Sequence, residues 1–256
     1  MSQPQSLVIT EPAGADPGWR TLYRAGAVSA ALYVLLVVVP VVLVFVAPLP
    51  PTESAALLTF IAEHEVVYLT ELVCFVGLAV PALIVFAALT AALWPVDKSL
   101  AVIGGLFGVA SEVIALALGS SPQSLHGGLV VLSGSYASAD TETRKAEVVS
   151  AAEALIAATN AVSWAGILTA AGILVLSLAM RNSNFGTRLA ALGIVTGIAG
   201  IICEALRPMI GGGYLLYGLL LPIWFALVGW QLHRPATRQS EEAARVGAER
   251  GGPSAP

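Results

Sequence analysis

Six long apolar stretches divide this 256-residue chain, and they constrain its fold more than any motif does. A helix needs about 20 apolar residues to cross a hydrocarbon core of about 30 Å. With 57% hydrophobic and 11% charged residues, the chain also departs from soluble domains, in which about 25% of residues are charged. The sequence predicts an all-α, polytopic membrane bundle of six transmembrane helices, near Ala25 to Ala47, Val66 to Trp94, Leu100 to Gly119, Ala152 to Met180, Leu189 to Arg207 and Tyr214 to Leu232.

Lysine and arginine residues predict the orientation of this bundle. Nine of the 12 lie before the first helix, in the second and fourth loops or in the C-terminal tail, and the other three are Arg144, Lys145 and Arg207. By the positive-inside rule, both termini are then cytoplasmic, and we expect a multi-pass protein of the cell (plasma) membrane. The predicted domains are a cytoplasmic tail at 1–19, a six-helix transmembrane domain at 20–234 and a disordered cytoplasmic tail at 235–256.

The third loop is the long one, and its composition favours helix, so we expect the fourth helix to extend beyond the bilayer. A net charge of −4 offers no basic surface for nucleic acid. No residue spacing typical of a metal site occurs, and the sequence predicts no metal and no cofactor. The expected partners are the lipid bilayer and, as a candidate ligand, a lipophilic small molecule, whereas protein partners are left open.

Glu112 and Glu204 are acids placed deep within apolar stretches, and each shares a helix face with three glycines. At 3.6 residues per turn, glycines 4, 7 and 8 or 4, 7 and 11 positions earlier lie on the same face as the acid. Small-residue faces are where transmembrane backbones approach each other. Both acids should therefore point into the bundle, beside the glycines Gly104, Gly105 and Gly108 or Gly193, Gly197 and Gly200.

The rise of a helix predicts how deep these residues lie. Glu112 is about 20 Å from Ser99 and Glu204 about 24 Å from Arg188, at 1.5 Å per residue, so both belong to the outer half of the bilayer. Glu71 falls near the outer interface by the same count. The sequence thus predicts an acidic pocket open to the outside, with Glu112, Glu204 and Glu71 as candidate catalytic residues and Asn160, Arg207 and Trp164 as candidate substrate-binding residues.

Partners of the acids follow from spacing along each helix. Arg207 lies three residues after Glu204, which is close enough for an ion pair, and a structural role for that pair is equally open. Glu112 has no predicted partner within its own helix. Because an ionised carboxylate in hydrocarbon is costly, we expect Glu112 to be protonated, paired or hydrated.

Three function classes remain open. Glu112, with Glu204 or Glu71, suits general acid and base chemistry on a lipophilic, isoprenoid-like substrate. The same acids also suit a transporter or receptor for a cation or small amine, although carriers generally bind near the bilayer midplane. A third class is a membrane scaffold whose acids hold helices together. A pocket opening to lipid would favour the enzyme, a polar path through the bundle the transporter, and an acid satisfied by its neighbours the scaffold.

Two cytoplasmic turns carry a resemblance to a known family. The turn "PVDKSLA" from Pro95 to Ala101 is similar to the "PVN(K/R)SLA" turn of domain-of-unknown-function family 4386, with Asp97 in place of Asn. "RNSNFGTRLA" resembles the same family's "RSGFLPRxLG" turn, with Gly186 and Thr187 ahead of Arg188 where a Pro-Arg step is usual. The resemblance covers roughly residues 18–234. It implies a bacterial multi-helix membrane fold and brings no established activity or site residues.

Overall fold

A computed structural model describes residues 17–43, 45, 50–120, 125–210 and 213–250, with side chains described up to residue 234. The regular elements among these residues are helical, and six segments are long and apolar enough to cross a membrane. The chain is thus a multi-pass membrane protein, as its composition predicts. After a short 3-10 turn, the helices are α1 (Arg20–Leu43), α2 (Ser54–Glu63), α3 (Glu65–Gly77), α4 (Ala79–Leu93), α5 (Lys98–Leu118), α6 (Gly127–Ala137), α7 (Glu142–Asn160), α8 (Trp164–Met180), α9 (Thr187–Ala205), α10 (Arg207–Ile210) and α11 (Tyr214–Arg250).

Two of the six membrane-crossing segments consist of two helices each. α3 and α4 meet at Leu78, because Pro81 has no N–H to donate to the carbonyl of Gly77. α7 and α8 are separated by residues 161–163. The Ser163 Oγ accepts a hydrogen bond from the Gly166 N–H at 3.1 Å and caps α8. The sequence predicts one continuous fourth helix, and this capping serine explains why the structure divides it.

The membrane-crossing helices form a closed ring in the order α1, α4, α5, α8, α9 and α11, with α11 packing back on α1. α4 also contacts α8 across the ring. Apolar side chains from these helices fill the centre of the ring, and the dispersion contacts between them hold the helices together. The largest are Phe86, Leu89, Leu93, Ile173, Leu176, Trp224 and Phe225, each 0% exposed.

The two ends of the ring differ. At one end α1 begins and short turns join α4 to α5 and α8 to α9; this is called the Arg20 end. At the other end, α2, α6, α7 and the first half of α3 pack around a second apolar cluster and form what is called the cap. α8 alone has 17 residues, or about 26 Å at 1.5 Å per residue, so it covers most of a hydrocarbon core of about 30 Å without α7.

The C-terminal segment differs from the sequence prediction. α11 continues as a helix to Arg250, whereas the sequence predicts disorder from residue 235. The segment "EEAARVGAER" contains alanine, glutamate and arginine, which have high helix propensity, so a helix that leaves the bundle can propagate through it. Residues 1–16 and 251–256 of the predicted tails lie outside the described residues.

Candidate functional site: two buried glutamates beside α8

Two buried glutamates lie on opposite sides of helix α8. Glu112, on α5, keeps 7% of its surface exposed, and Glu204, on α9, keeps 1%. α5 and α9 both pack along α8, which lies between them in the ring. This burial confirms the prediction from glycine spacing that both acids face the interior of the bundle.

Glycines bring these three helices into backbone contact. A Cβ on Gly172 of α8 would lie 2.9 Å from the backbone nitrogen of Gly108 on α5. A Cβ on Gly197 of α9 would lie 2.8 Å from the carbonyl oxygen of Ala170 on α8. Real Cβ atoms do not come so close, so the helices can pack this tightly because these residues lack a side chain.

Hydroxyl groups from two helices meet one carboxyl oxygen of Glu112. Its Oε1 lies 3.2 Å from the Oγ of Ser111 on α5 and 3.3 Å from the Oγ1 of Thr169 on α8. The two hydroxyl oxygens are themselves 2.9 Å apart. Ser111 is therefore a partner within α5, contrary to the expectation that Glu112 has none on its own helix.

Each of these hydroxyls also has a carbonyl acceptor on its own helix. Ser111 Oγ is 2.7 Å from the Gly108 oxygen, and Thr169 Oγ1 is 3.2 Å from the Ala165 oxygen. An ionised Glu112 can accept a hydrogen bond from a hydroxyl that turns toward it. A protonated Glu112 can donate to a hydroxyl oxygen while both hydroxyls donate to their carbonyls. The hydrogen bonds of the site can thus be satisfied in either protonation state.

Three aromatic rings pack together in the ring centre, and one of them, Phe86, lies about one helical turn from Glu112 toward the Arg20 end. Phe86 of α4 packs against Gly108, which precedes Glu112 by four residues. The edge of Phe86 meets Phe225 of α11 with 6.1 Å between centroids, and Phe225 stacks on Tyr33 of α1 at 3.9 Å. Tyr33 also lies within electrostatic reach of Glu112. These three buried rings are called the aromatic group.

Glu204 makes a different set of contacts, and they are charged. Its Oε2 pairs with the guanidinium of Arg207, and its Oε1 accepts a hydrogen bond of 2.6 Å from the Tyr214 hydroxyl of α11. Arg207 also donates through Nη1 to the Thr159 carbonyl at the end of α7, at 3.1 Å, and lies over the Tyr214 ring. The predicted Glu204 and Arg207 pair exists, and it joins α9 to α11 and to the cap.

The carboxyl group of Glu204 also packs against Gly166, in the first turn of α8. The first turn of a helix carries partial positive charge, which stabilises a nearby carboxylate. Tyr217 of α11 packs against Gly200 and lies within electrostatic reach of both Glu204 and Glu112. The two acids therefore belong to one region of the bundle, and they differ in their partners.

The other predicted site residues lie on α3, α7 and α8. Glu71 is half-buried on α3, where its described electrostatic neighbours are Tyr68 and Cys74 of the same helix. Asn160 is exposed at the end of α7, and Trp164 is 71% exposed at the start of α8. The structure thus joins Arg207 with Glu204, and it places Asn160 directly after Thr159, whose carbonyl binds Arg207.

Several residues of this region are absent from the sequence-based set. Ser111 and Thr169 bind Glu112, Tyr214 binds Glu204, and Tyr33 and Tyr217 face the acids from α1 and α11. Each is a polar side chain within an apolar stretch, and that pattern is a signal for an interior position. The pairing of these residues is invisible in sequence because the partners come from different helices.

Among the described residues, no group of three or more His, Cys, Asp or Glu side chains is arranged to hold a metal ion. No protein-family model matches the chain, and no curated protein or solved structure matches it either. The resemblance to family 4386 therefore stays a prediction. The case for this site rests on the contacts of its own residues.

Proposed function

We propose that this membrane protein uses Glu112 as a general acid and base on a lipophilic, isoprenoid-like molecule, in an acidic pocket in the half of the bilayer next to the cap. One observation carries the proposal. Glu112 contacts neutral hydroxyls that have alternative carbonyl acceptors, so its proton can leave and return without stranding a buried polar group. A carboxyl group whose hydrogen bonds can be satisfied both with and without its proton is suited to acid and base catalysis.

The chemistry that fits these residues is isomerisation of a carbon–carbon double bond. Protonated Glu112 gives its proton to one carbon of the double bond, and the π electrons form the new C–H bond, leaving a carbocation on the other carbon. The carboxylate then takes a proton from a neighbouring carbon, whose C–H electrons form the shifted double bond. Glu112 is protonated again at the end, so the reaction consumes no other reactant.

The aromatic group supports this choice of substrate. Phe86 lies about one turn from Glu112 and contacts Phe225, which stacks on Tyr33, and aromatic rings can stabilise a cation in an apolar site. A transporter has less support from the described residues. Below Glu112, toward the Arg20 end, α5 and α8 are in backbone contact, and the ring centre is filled with fully buried apolar side chains.

A structural role is the second candidate, and the contacts of Glu204 favour it. Its ion pair with Arg207 is almost fully buried and connects three helices, which suits a residue that holds the bundle and the cap together. The hydroxyl contacts of Glu112 also join α5 to α8. Under this alternative, both acids stabilise helix packing and neither performs chemistry.

The proposal includes the plasma membrane and an orientation with both termini in the cytoplasm. Charge distribution supports it. Among the described side chains, the Arg20 end carries six cations, Arg20, Arg24, Lys98, Arg181, Arg188 and Arg234, against one acid, Asp97. The cap carries two cations, Arg144 and Lys145, among eight exposed or partly exposed acids on α2, α3, α7 and their flanks, namely Glu53, Glu63, Glu65, Glu71, Asp140, Glu142, Glu147 and Glu153. Such an asymmetry is typical of a cytoplasmic Arg20 end.

The experiment measures transfer of the Glu112 proton to a carbon atom of the substrate. Purified protein in lipid nanodiscs is incubated in D2O with a polyprenol mixture, and mass spectrometry measures deuterium bound to carbon in the recovered lipid. The wild type should incorporate deuterium, since a deuterated Glu112 transfers it to the double bond. Glu112→Gln keeps the size and hydrogen-bonding capacity of the side chain but has no acid proton, so incorporation should fall by a factor of about 10² or more.

Glu153→Gln is the matched control, because it makes the same change at an exposed position of α7 in the cap. It should incorporate deuterium at the wild-type rate. Thermal unfolding of all three proteins separates chemistry from packing. No incorporation by the wild type, together with a lower unfolding temperature for Glu112→Gln, would refute the enzyme proposal and leave the structural role.

A further inference from the structure

A second site lies at the other end of the molecule from the glutamates. An open groove of about 530 Å³ runs between the turn after α8, the start of α9 and the last described side chains of α11. It is at the Arg20 end of the ring and faces outward. Among the residues that line it are Phe185, Arg188, Leu189, Leu227, Trp230 and Gln231.

The walls of this groove are largely apolar, and two arginine side chains lie beside it. Leu227 and Phe185 supply hydrocarbon surface, and the side chain of Arg188 is exposed beside them. Arg234 lies over the exposed ring of Trp230, with its guanidinium carbon 5.5 Å from the ring centroid. The Gln231 side chain hydrogen-bonds to the Phe185 carbonyl at 3.4 Å and fixes the turn against α11.

No described acid competes for these cations within the groove. Asp97 is the one acid among the side chains described at the Arg20 end, and its Oδ1 is engaged by the Leu100 N–H at the start of α5, at 3.0 Å. The groove therefore keeps a positive character. Its position fits a membrane interface. The exposed Trp230 is a typical interfacial residue, and polar and charged residues follow it on α11.

We propose that this groove binds an anionic phospholipid of the leaflet at the Arg20 end. The phosphate of the headgroup pairs with Arg188 and Arg234, and the first part of an acyl chain lies on Phe185 and Leu227. Basic grooves between transmembrane helices on the positively charged side are suited to acidic headgroups. A free phosphate ion would leave the apolar walls in contact with water, so the lipid is the better fit to the whole groove.

Native mass spectrometry of the full chain in detergent micelles tests the proposal, with phosphatidylglycerol as the anionic probe and phosphatidylcholine as the neutral one. The wild type should bind phosphatidylglycerol more tightly than phosphatidylcholine. Arg188→Gln should weaken phosphatidylglycerol binding about fivefold, the loss expected for one cation near an anionic headgroup. Arg181→Gln removes the same charge from an exposed position of the same turn, outside the groove lining, and should leave binding unchanged.

A second pair of variants tests the acyl-chain contact without changing charge. Leu227→Trp fills the groove and should also weaken phosphatidylglycerol binding, whereas Leu219→Trp, at an exposed position two turns earlier on α11, should not. Equal losses in Arg188→Gln and Arg181→Gln would show general attraction by surface charge and overturn the proposal. Displacement of the lipid by inorganic phosphate, with no effect of Leu227→Trp, would show a simple anion site and overturn it as well.

Discussion

The closest test of the packing around Glu112 is the substitution Gly172→Ala. Gly172 lies where α8 crosses α5, one helical turn beyond Thr169. A Cβ there would lie 2.9 Å from the Gly108 nitrogen, 3.0 Å from the Gly104 oxygen and 3.2 Å from the Gly108 Cα. All three neighbours are backbone atoms, which no side-chain rotation can move away, so α5 and α8 would have to separate.

The size of the effect follows from comparison with a glycine in open space. Gly218 of α11 is also helical, and a Cβ there would meet nothing within 4 Å. Replacing glycine by alanine within a helix favours folding by about 1 kcal/mol at either position, so this gain cancels between the two variants. What remains is the cost of overpacking at Gly172, about 1–3 kcal/mol, and rigid backbone neighbours place it near the upper value.

Thermal unfolding in detergent measures this difference. At about 2–4 °C per kcal/mol for a chain of this size, Gly172→Ala should unfold roughly 5–10 °C below Gly218→Ala. Gly218→Ala itself should unfold at or slightly above the wild-type temperature. Equal unfolding temperatures for the two variants would mean that α5 and α8 do not touch through their backbones, and the position of Thr169 beside Glu112 would lose its basis.

Two further predictions concern the ion pair and the orientation. Arg207→Leu leaves the buried Glu204 carboxylate without its cation and should destabilise the protein by about 3 kcal/mol in thermal unfolding. The double variant Arg207→Leu with Glu204→Leu should recover part of that loss, because no buried charge is left unpaired. A double variant less stable than Arg207→Leu would contradict the reasoning. Asp140→Cys in the cap should react with a membrane-impermeant maleimide in intact cells, and Asn182→Cys at the Arg20 end should react after lysis, both positions being exposed; the reverse pattern would invert the proposed orientation.

The sequence predicts those features that depend on neighbours along one helix. Six apolar stretches of sufficient length became six membrane-crossing segments, since hydrocarbon thickness sets the length of a spanning helix. Glycine spacing correctly turned Glu112 and Glu204 inward, because the helical period places residues four and seven positions apart on one face. The Glu204 and Arg207 pair was visible for the same reason, being three residues apart.

A local signal was also present for the break between α7 and α8, which the sequence prediction missed. Ser163 ends a stretch of small and β-branched residues and has the character of a helix cap, yet the hydropathy of the segment continues through it. The cap formed by α2, α6, α7 and part of α3 has no such local signal. Its cluster joins residues as far apart as Leu57 and Ala152, and no pattern within one segment predicts that they meet.

By itself, then, the sequence determined the membrane class, the number of segments long enough to cross, the inward direction of the two acids and the pairing of Glu204 with Arg207. Tertiary structure decided the contacts that each acid makes with other helices. Glu112 meets Thr169 from 57 residues away, and Arg207 reaches the Thr159 carbonyl from 48 residues away. Such contacts depend on which helices are neighbours in the ring, and that order is set by the packing of whole helix faces rather than by any local spacing.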